Sequence, residues 1–442
     1  MAKTFDVLLK GGVVVNHDGE ALRDVGVRNG AIAEIGDLGS ASAGETIDCR
    51  GLHVLPGVID TQVHFREPGP THKEDLESGS LSAVMGGVTA VFEMPNTSPL
   101  TITHATVEDK LARARDRMHC DHAFFVGATH HNPRDLAEME RLPGVCGVKI
   151  FMGASTGDLL VEDDLGVLAV LRGGSRRVAI HSEDEFILRE NKKRAREGDW
   201  TSHPEVRSVE SAVSSTVRLI RLAREARRRI HVLHVTTAEE IPILAAAKDI
   251  ATAEVTPQHL TLEAPDCYIR LKGKAQMNPP IREQRHRDGL WHGLAQGVFD
   301  VIGSDHAPHT LEEKAQPYPA SPSGMPGVQT LVPIMLNHVA EGRLSLARFV
   351  DLLCHGPQRI FGIAGKGRLA IGYDADFTVV DLNRRETITD AWSRSRCGWT
   401  PFAGMAVTGW PVGTIIRGRK VMWENALLAP SQGAPVRFQE TL

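Results

Sequence analysis

The chain contains 442 residues, of which 24% are charged, and it carries a formal net charge of −5. This length exceeds an ordinary domain and favours one large domain with a smaller companion. The near balance of charges, with Lys and Arg scattered along the chain, argues against a nucleic-acid partner and favours a small-molecule substrate.

The cysteines and the apolar runs indicate the cellular location of the protein. No CxxC pair occurs among the six cysteines, which predicts reduced thiols. The first residues lack a signal-peptide pattern, and no apolar run approaches the roughly 20 residues of a membrane helix. We therefore expect a cytoplasmic protein without a membrane partner.

Short strands are predicted at both ends of the chain. "DVLLKGGVVV" (residues 6–15) and "DVGVRNGAIAEIG" (24–36) contain alternating apolar residues, and Asn29-Gly30 predicts a hairpin. "GRLAIGYDADFTVVDL" (367–382) and "VGTIIRGRKVMWENALL" (412–428) are similar and have no helical period. We expect residues 1–55 and 365–442 to pair into one small β-sandwich.

Residues 56–364 alternate between β-branched runs and amphipathic segments. The predicted strands, the first of which begins just before this range, are residues 53–60, 89–94, 122–127, 147–151, 178–181, 230–234, 252–255 and 301–304. Helical patterns between consecutive strands predict a (β/α)8 TIM-like barrel. The long segments 256–297 and 310–327 are interpreted as loops, and "MNPPIR" within the first and the whole of the second as non-helical active-site loops.

Residues suited to metal binding follow five of these strands. Catalytic residues of such barrels lie at the C-terminal strand ends. The candidates are Gln62 and His64 after strand one, Lys149 in strand four, His181 after strand five, His234 after strand six and Asp305 after strand eight. Nitrogen and oxygen ligands without a thiolate suit zinc. Each residue alone is more often structural, so the predicted metal centre depends on the whole set.

Lys149 has two interpretations. A lysine in an apolar strand commonly reaches solvent or pairs with a carboxylate. Burial also lowers a lysine pKa, so that the free amine can react with carbon dioxide. The resulting carbamate is an anionic ligand that can bridge two metal ions.

Eight motifs resemble the dihydroorotases of the amidohydrolase superfamily, in order and over nearly the whole chain. They are "DTQVHFREPG", "MPNTSP", "GVKIFMG", "HSED", "HVLHVTT", "MNPPIR", "GSDHAPH" and "GMPGVQT". The resemblance implies a barrel flanked by a β-sandwich from both termini. It also implies a metal centre that opens dihydroorotate to N-carbamoyl-aspartate, or closes the ring, in pyrimidine synthesis.

The resemblance also implies a role for each site residue. One or two zinc ions would be held by His64 at the first metal, His181 and His234 at the second, a carbamylated Lys149 between them, and Asp305, which would also be the general base. Arg66, Asn96 and His309 would bind the substrate carboxylate, and Asn278 the pyrimidine ring. Each of these four also has an ordinary structural interpretation, and together they suit a small carboxylate.

Gln62 departs from the pattern, since the family usually has histidine there. An amide oxygen is a poorer zinc ligand than imidazole. Some relatives bridge through an aspartate near position 153, where this chain has Gly153, so Lys149 is the remaining bridge. We expect a weakened or water-completed first metal site.

Two alternatives remain open. A hydantoinase or allantoinase would share the barrel and the metal ligands, although a neutral ring offers no carboxylate for Arg66. A catalytically impaired homologue could persist as a partner of aspartate transcarbamoylase, an interpretation prompted by Gln62. The exposed surfaces are compatible with a homodimer.

Overall fold

The N-terminal segment forms five strands, as its alternating residues predict. The computed structural model describes residues 4–154 and 159–441. Its first strands are β1 (Thr4–Asn16), β2 (Gly19–Arg28), β3 (Ala31–Gly36), β4 (Ser42–Asp48) and β5 (His53–Pro56). Asn29 and Gly30 form the predicted hairpin between β2 and β3, and their φ angles of 50° and 74° are those of a type I′ turn.

Eight parallel strands form the barrel. They are β6 (Val58–Val63), β7 (Val88–Glu93), β8 (Asp121–Gly127), β9 (Val145–Phe151), β10 (Val178–His181), β11 (Ile230–Val232), β12 (Ala251–Val255) and β13 (Val301–Ile302). The strands pair in chain order. The seam between β13 and β6 is joined where the His64 N–H donates to the His306 carbonyl over 2.7 Å. The predicted (β/α)8 fold is confirmed.

Helices connect most of the strands and cover the barrel. They are α1 (Leu76–Met85), α2 (His104–Ala114), α3 (Leu136–Met139), α4 (Asp164–Arg172), α5 (Glu185–Asn191), α6 (His203–Val206), α7 (Val209–Ala226), α8 (Glu240–Ala245), α9 (Pro257–Thr261), α10 (Asp266–Leu271), α11 (Gln284–Ala295), α12 (Leu311–Lys314), α13 (Leu331–Ala340), α14 (Leu346–Val350) and α15 (Gly356–Phe361). Among the described residues, no helix is both long enough and apolar enough to cross a bilayer.

Strands from both chain ends build one separate sheet. The C-terminal strands are β14 (Phe377–Thr387), β15 (Ala406–Ile416), β16 (Arg419–Trp423) and β17 (Ala426–Leu427). Strand β5 pairs with β14 on one side and β1 on the other, which joins the termini in a nine-stranded sheet. The shared terminal β unit was therefore predicted correctly. The domain limits 1–55, 56–364 and 365–442 stay a prediction.

The predicted first barrel strand, residues 53–60, is two strands. His53–Pro56 belongs to the terminal sheet, and the barrel strand begins at Val58. Gly57 separates them, and a Cβ there would lie 2.3 Å from the Thr89 hydroxyl oxygen. The chain can therefore change sheets at this point only because residue 57 has no side chain.

The segment 256–297 was wrongly interpreted as a loop. It contains α9, α10 and α11, and "MNPPIR" is its irregular part. Helix α11 has a weak sequence signal because it contains Gly289 and Gly293. Each glycine lies against a neighbour, and a Cβ would come 2.5 Å from Ala238 and 2.8 Å from Ile241 respectively. The segment 310–327 likewise contains one short helix, α12.

Candidate metal and substrate site

The predicted metal ligands converge at the C-terminal end of the barrel. They line one cavity of about 20 Å³, large enough for a water-sized species. Its lining is Gln62, His64, Lys149, Phe151, His181, His234, Asn278, Asp305, Ala307, Ser323 and Gly324. Three residues of the site, Arg66, His234 and Asp305, have positive φ angles of 64°, 36° and 45°. Strained backbone of this kind clusters at functional sites.

His181 and His234 form one half of the centre. His181 Nδ1 lies 3.1 Å from His234 Nε2, and His181 Nε2 lies 2.7 Å from Glu183 Oε2. The carboxylate can only accept, so Nε2 carries the proton and Nδ1 has the free lone pair. Burial lowers the pKa of both imidazoles, which keeps them neutral as metal ligands. A histidine oriented by a carboxylate is a common arrangement at metal sites.

Glu183 and Arg207 were missed by the sequence interpretation. Arg207 Nε donates to Glu183 Oε2 over 3.0 Å, and both side chains are buried. Burial opposes ionisation of Glu183, but Arg207 and His181 outweigh it and hold its pKa well below the usual range. The position of Glu183 in "HSED" was a signal that could have found it, whereas Arg207 lies in no motif.

Lys149 is buried and lines the same cavity as the two halves. Its Nζ lies 4.5 Å from the centre of the Phe151 ring. Burial lowers the pKa of Lys149 to about 7, although Asp305 and Glu254 oppose the shift. A substantial fraction of the side chain is therefore a neutral amine at neutral pH, which is the form that reacts with carbon dioxide.

Gln62, His64 and Asp305 form the other half. Gln62 Nε2 donates to Asp305 Oδ1 over 3.0 Å, and His64 Nε2 lies 3.2 Å from the same oxygen. His64 Nδ1 lies 2.7 Å from Asn96 Oδ1, an acceptor, so Nδ1 carries the hydrogen and the Nε2 lone pair faces Asp305. Within the described parts of the chain, Gln62 Oε1 is buried without a hydrogen-bond partner.

Arg66 and His309 lie beside this half. Arg66 Nη2 is 3.3 Å from His309 Nε2, and Arg66 Nε donates to the Pro308 carbonyl over 3.3 Å. Burial lowers the pKa of Arg66 to about 10, so the guanidinium is still charged at neutral pH. A buried cation next to an imidazole suits a small anion.

Asn278 lines the cavity from the irregular "MNPPIR" segment. Its Oδ1 is 3.1 Å from His203 Nε2. Since His203 also lies 2.9 Å from the Met277 carbonyl, one face of this segment is held by a single buried imidazole. His203 was not among the predicted site residues.

The donor set fits a divalent metal ion. It offers neutral imidazole nitrogens, a carboxylate, an amide oxygen and an amine that can become a carbamate, all ligand types compatible with zinc. Two of its buried polar atoms, Gln62 Oε1 and His234 Nδ1, have no partner in residues 4–154 and 159–441. Polar atoms of this kind favour an additional ligand in the cavity.

Comparison with known proteins identifies the family. The model of the amidohydrolase family matches residues 176–421. A second family model, described as "Dihydro-orotase-like", matches residues 51–137. The dihydroorotase of Methanosarcina acetivorans is 36% identical over 92% of this chain and 90% of its own. The dihydroorotase of Halobacterium salinarum is 37% identical over 90% of this chain and 94% of its own. This chain belongs to the dihydroorotase family.

Among solved structures, hydantoinases have a fold similar to that of this chain. L-hydantoinase (dihydropyrimidinase) from Arthrobacter aurescens superimposes with a TM-score of 0.92 and 30% identity, over 98% of this chain and 99% of that one. Such similarity establishes the shared barrel and terminal sheet. The substrate must therefore be argued from the side chains of the site.

Proposed function

We propose that this chain is a dihydroorotase, which hydrolyses the cyclic amide of dihydroorotate to N-carbamoyl-aspartate and also closes the ring. The observation that carries the proposal is the approach of Arg66 Nη2 to His309 Nε2, at 3.3 Å, beside the metal-type cluster. Dihydroorotate has a carboxylate on the ring carbon that is separated from the attacked amide carbonyl by one methylene group. The proximity of a guanidinium and an imidazole to this cluster supports the proposal, because together they suit a carboxylate of this kind.

We infer that one or two zinc ions are the cofactor. His181 and His234 would hold one ion, and His64, Asp305 and Gln62 the other, with carbamylated Lys149 bridging them. A bound divalent ion would activate a water and polarise the ring carbonyl. Gln62 stands where the family usually has histidine, so the site with His64 and Asp305 would be the weaker of the two.

Asp305 is the proposed general base. Its Oδ1 takes the proton of the attacking water and returns it to the departing ring nitrogen. The Gln62 N–H donates to the same oxygen, which holds the carboxylate in place. Arg66, Asn96 and His309 would fix the substrate carboxylate, and Asn278 would contact the ring.

Hydantoinase activity is the second candidate, favoured by the structural similarity to the Arthrobacter enzyme. An unsubstituted hydantoin has no carboxylate, so Arg66 would then be buried without a substrate partner. The third candidate is a catalytically impaired partner of aspartate transcarbamoylase, which Gln62 motivates. A homodimer is compatible with all three.

Turnover by zinc-supplemented protein tests the proposal. We expect ultraviolet absorbance to fall as dihydroorotate is hydrolysed, with little activity on hydantoin. Arg66→Met should raise KM for dihydroorotate at least about tenfold, because a charge-assisted hydrogen bond is lost.

The exposed Arg50 provides a matched control, and Arg50→Met should leave KM unchanged. An unaltered KM in Arg66→Met, or faster hydrolysis of hydantoin than of dihydroorotate, would favour the hydantoinase. Absence of turnover with zinc bound would favour the impaired partner.

A further inference from the structure

Lys73 approaches the substrate end of the site from the segment between β6 and α1. Its Nζ lies 3.0 Å from His309 Nδ1 and 3.2 Å from Glu313 Oε1. Only 16% of its side chain is exposed. The function proposed above gives this lysine no role, although it contacts a residue proposed to bind substrate.

The contacts of His309 determine which ring nitrogen carries the proton. An ammonium has donors and no acceptor, so Lys73 requires a lone pair at His309 Nδ1. His309 Nε2 lies 3.0 Å from the Ser323 carbonyl, which can only accept. Both contacts are satisfied by the neutral tautomer with its proton on Nε2. The opposite tautomer would lose both.

With this tautomer, the contact between Arg66 and His309 is not a hydrogen bond. A guanidinium also has donors only, so Arg66 Nη2 and the His309 Nε2–H are two donors 3.3 Å apart. Two adjacent donors cannot bond to each other, but together they match the two oxygens of a carboxylate. A lone pair on Nε2 would instead repel that carboxylate.

Lys73 is itself held in place. Glu313 Oε1 also lies 3.0 Å from His72 Nε2, and Glu313 Oε2 accepts from the Thr310 N–H over 3.0 Å. Thr310 follows His309 directly and is the N-cap of α12. The lysine, its carboxylate partner and the imidazole therefore form one connected unit.

We propose that Lys73 is a positioning residue that fixes His309 as the Nε2–H tautomer, so that Nε2–H and Arg66 together bind a substrate carboxylate. The bound carboxylate then competes with the Ser323 carbonyl for the hydrogen of Nε2–H, while Nδ1 stays in contact with Lys73. The inference rests on the proposed dihydroorotase function for the identity of the ligand. The assignment of the tautomer depends on the contacts alone.

Nitrogen NMR on 15N-histidine-labelled protein tests the tautomer without substrate. In the unmodified protein we expect an unprotonated Nδ1 and a protonated Nε2 for His309, assigned by the signals that disappear in His309→Gln. Lys73→Met should produce a second population protonated at Nδ1. Lys73→Arg keeps a donor and should restore the original signals.

Kinetics test the consequence. Lys73→Met should raise KM for dihydroorotate about tenfold and change kcat less than about twofold, because carboxylate binding is impaired and Asp305 is untouched. Lys73→Arg should restore most of the affinity.

Specific outcomes would overturn the proposal. These are a protonated Nδ1 in the unmodified protein, unchanged signals and KM in Lys73→Met, or equal KM losses in the Met and Arg variants. If the predicted tautomer were present in a protein that did not turn over dihydroorotate, the proposed function would fail and the role of Lys73 would be reduced to the tautomer alone.

Discussion

Gln62 occupies a position where a single side chain can set the metal content of the site. Its amide nitrogen is committed to Asp305 Oδ1 at 3.0 Å, and only its Oε1 is available as a ligand. An imidazole binds zinc more strongly than an amide oxygen because it is the softer and better electron donor. The amide therefore lowers the affinity for the zinc ion that is proposed to lie between Gln62, His64 and Asp305.

We predict that Gln62→His increases the zinc content. After dialysis against a weak chelator, elemental analysis should give about one zinc per chain in the unmodified protein and about two in Gln62→His. Gln62→Met, which preserves the volume but offers no nitrogen or oxygen ligand, should remain at one. Two tightly held zinc ions in the unmodified protein would contradict the prediction.

At the scale of elements, the segment from Thr310 to Gly324 is fastened by a buried lysine. Lys314 Nζ donates to the carbonyls of Gln276, Pro322 and Gly324 over 2.9, 2.7 and 2.8 Å. The same segment contains Ser323, whose carbonyl accepts from His309. One lysine at the end of α12 thus ties the residue just before "MNPPIR" to the loop after strand eight.

We predict that Lys314→Met loosens this loop. Loss of three donors leaves buried carbonyls unpaired, which favours local opening. Amide hydrogen exchange in residues 310–324 should accelerate about tenfold or more, and KM for dihydroorotate should rise.

The neighbouring Lys272 is exposed and provides the control. Lys272→Met should exchange like the unmodified protein. A Lys314→Met variant with unchanged exchange in this segment would mean that other contacts hold the loop closed.

The elements that the sequence predicted share a local signal. Continuous apolar runs identify buried parallel strands, and the chemistry of Lys149 or Asp305 stands out at their ends. The elements that were missed depend on partners distant in the chain. In helix α11, Gly289 approaches Ala238 and Gly293 approaches Ile241 of α8, and no local period reveals such approaches.

The same reason limits prediction of the site. The ligand-type residues were found because each occurs in a motif, and the structure brings them into one cavity. Glu183 acts with Arg207, 24 positions away, and Lys73 with His309, 236 positions away. Such pairs are formed by the tertiary packing, so they cannot be predicted from a single sequence.

At the scale of the whole molecule, a buried charge cluster connects the barrel to the terminal sheet. Lys366 Nζ lies 2.5, 2.8 and 2.6 Å from carboxylate oxygens of Asp121, Asp374 and Asp376. Asp121 begins β8 in the barrel, whereas Asp376 precedes β14 in the sheet. Arg417, just after β15, also contacts Asp121 at 2.5 Å.

The electrostatics of this cluster depend on the lysine. Burial alone would lower the pKa of Lys366, but Asp376 and Asp121 outweigh it and raise that pKa above its usual value. For Asp376, burial outweighs the attraction of Lys366 and raises the carboxyl pKa. Without the Lys366 ammonium, less would oppose the effect of burial on Asp376. The pKa of its carboxyl would rise further in the folded state.

We predict that Lys366→Met lowers the free energy of unfolding by about 3–5 kcal/mol near neutral pH, because it leaves buried carboxylates uncompensated. The loss should shrink as pH falls below neutral toward the raised pKa of the buried carboxyl. A carboxyl whose folded pKa is raised binds a proton in the folded state first, so acid stabilises the variant relative to the unmodified protein.

Urea unfolding at several pH values measures this difference directly. Lys193 is exposed, and Lys193→Met should leave the midpoint unchanged throughout. A loss in Lys366→Met that stays constant or grows toward low pH would mean that the carboxylates are already protonated or solvated, and that the contact between barrel and sheet does not depend on this ammonium. A loss that shrinks with acid would identify Lys366 as the charge that allows the two units to pack with their aspartates ionised.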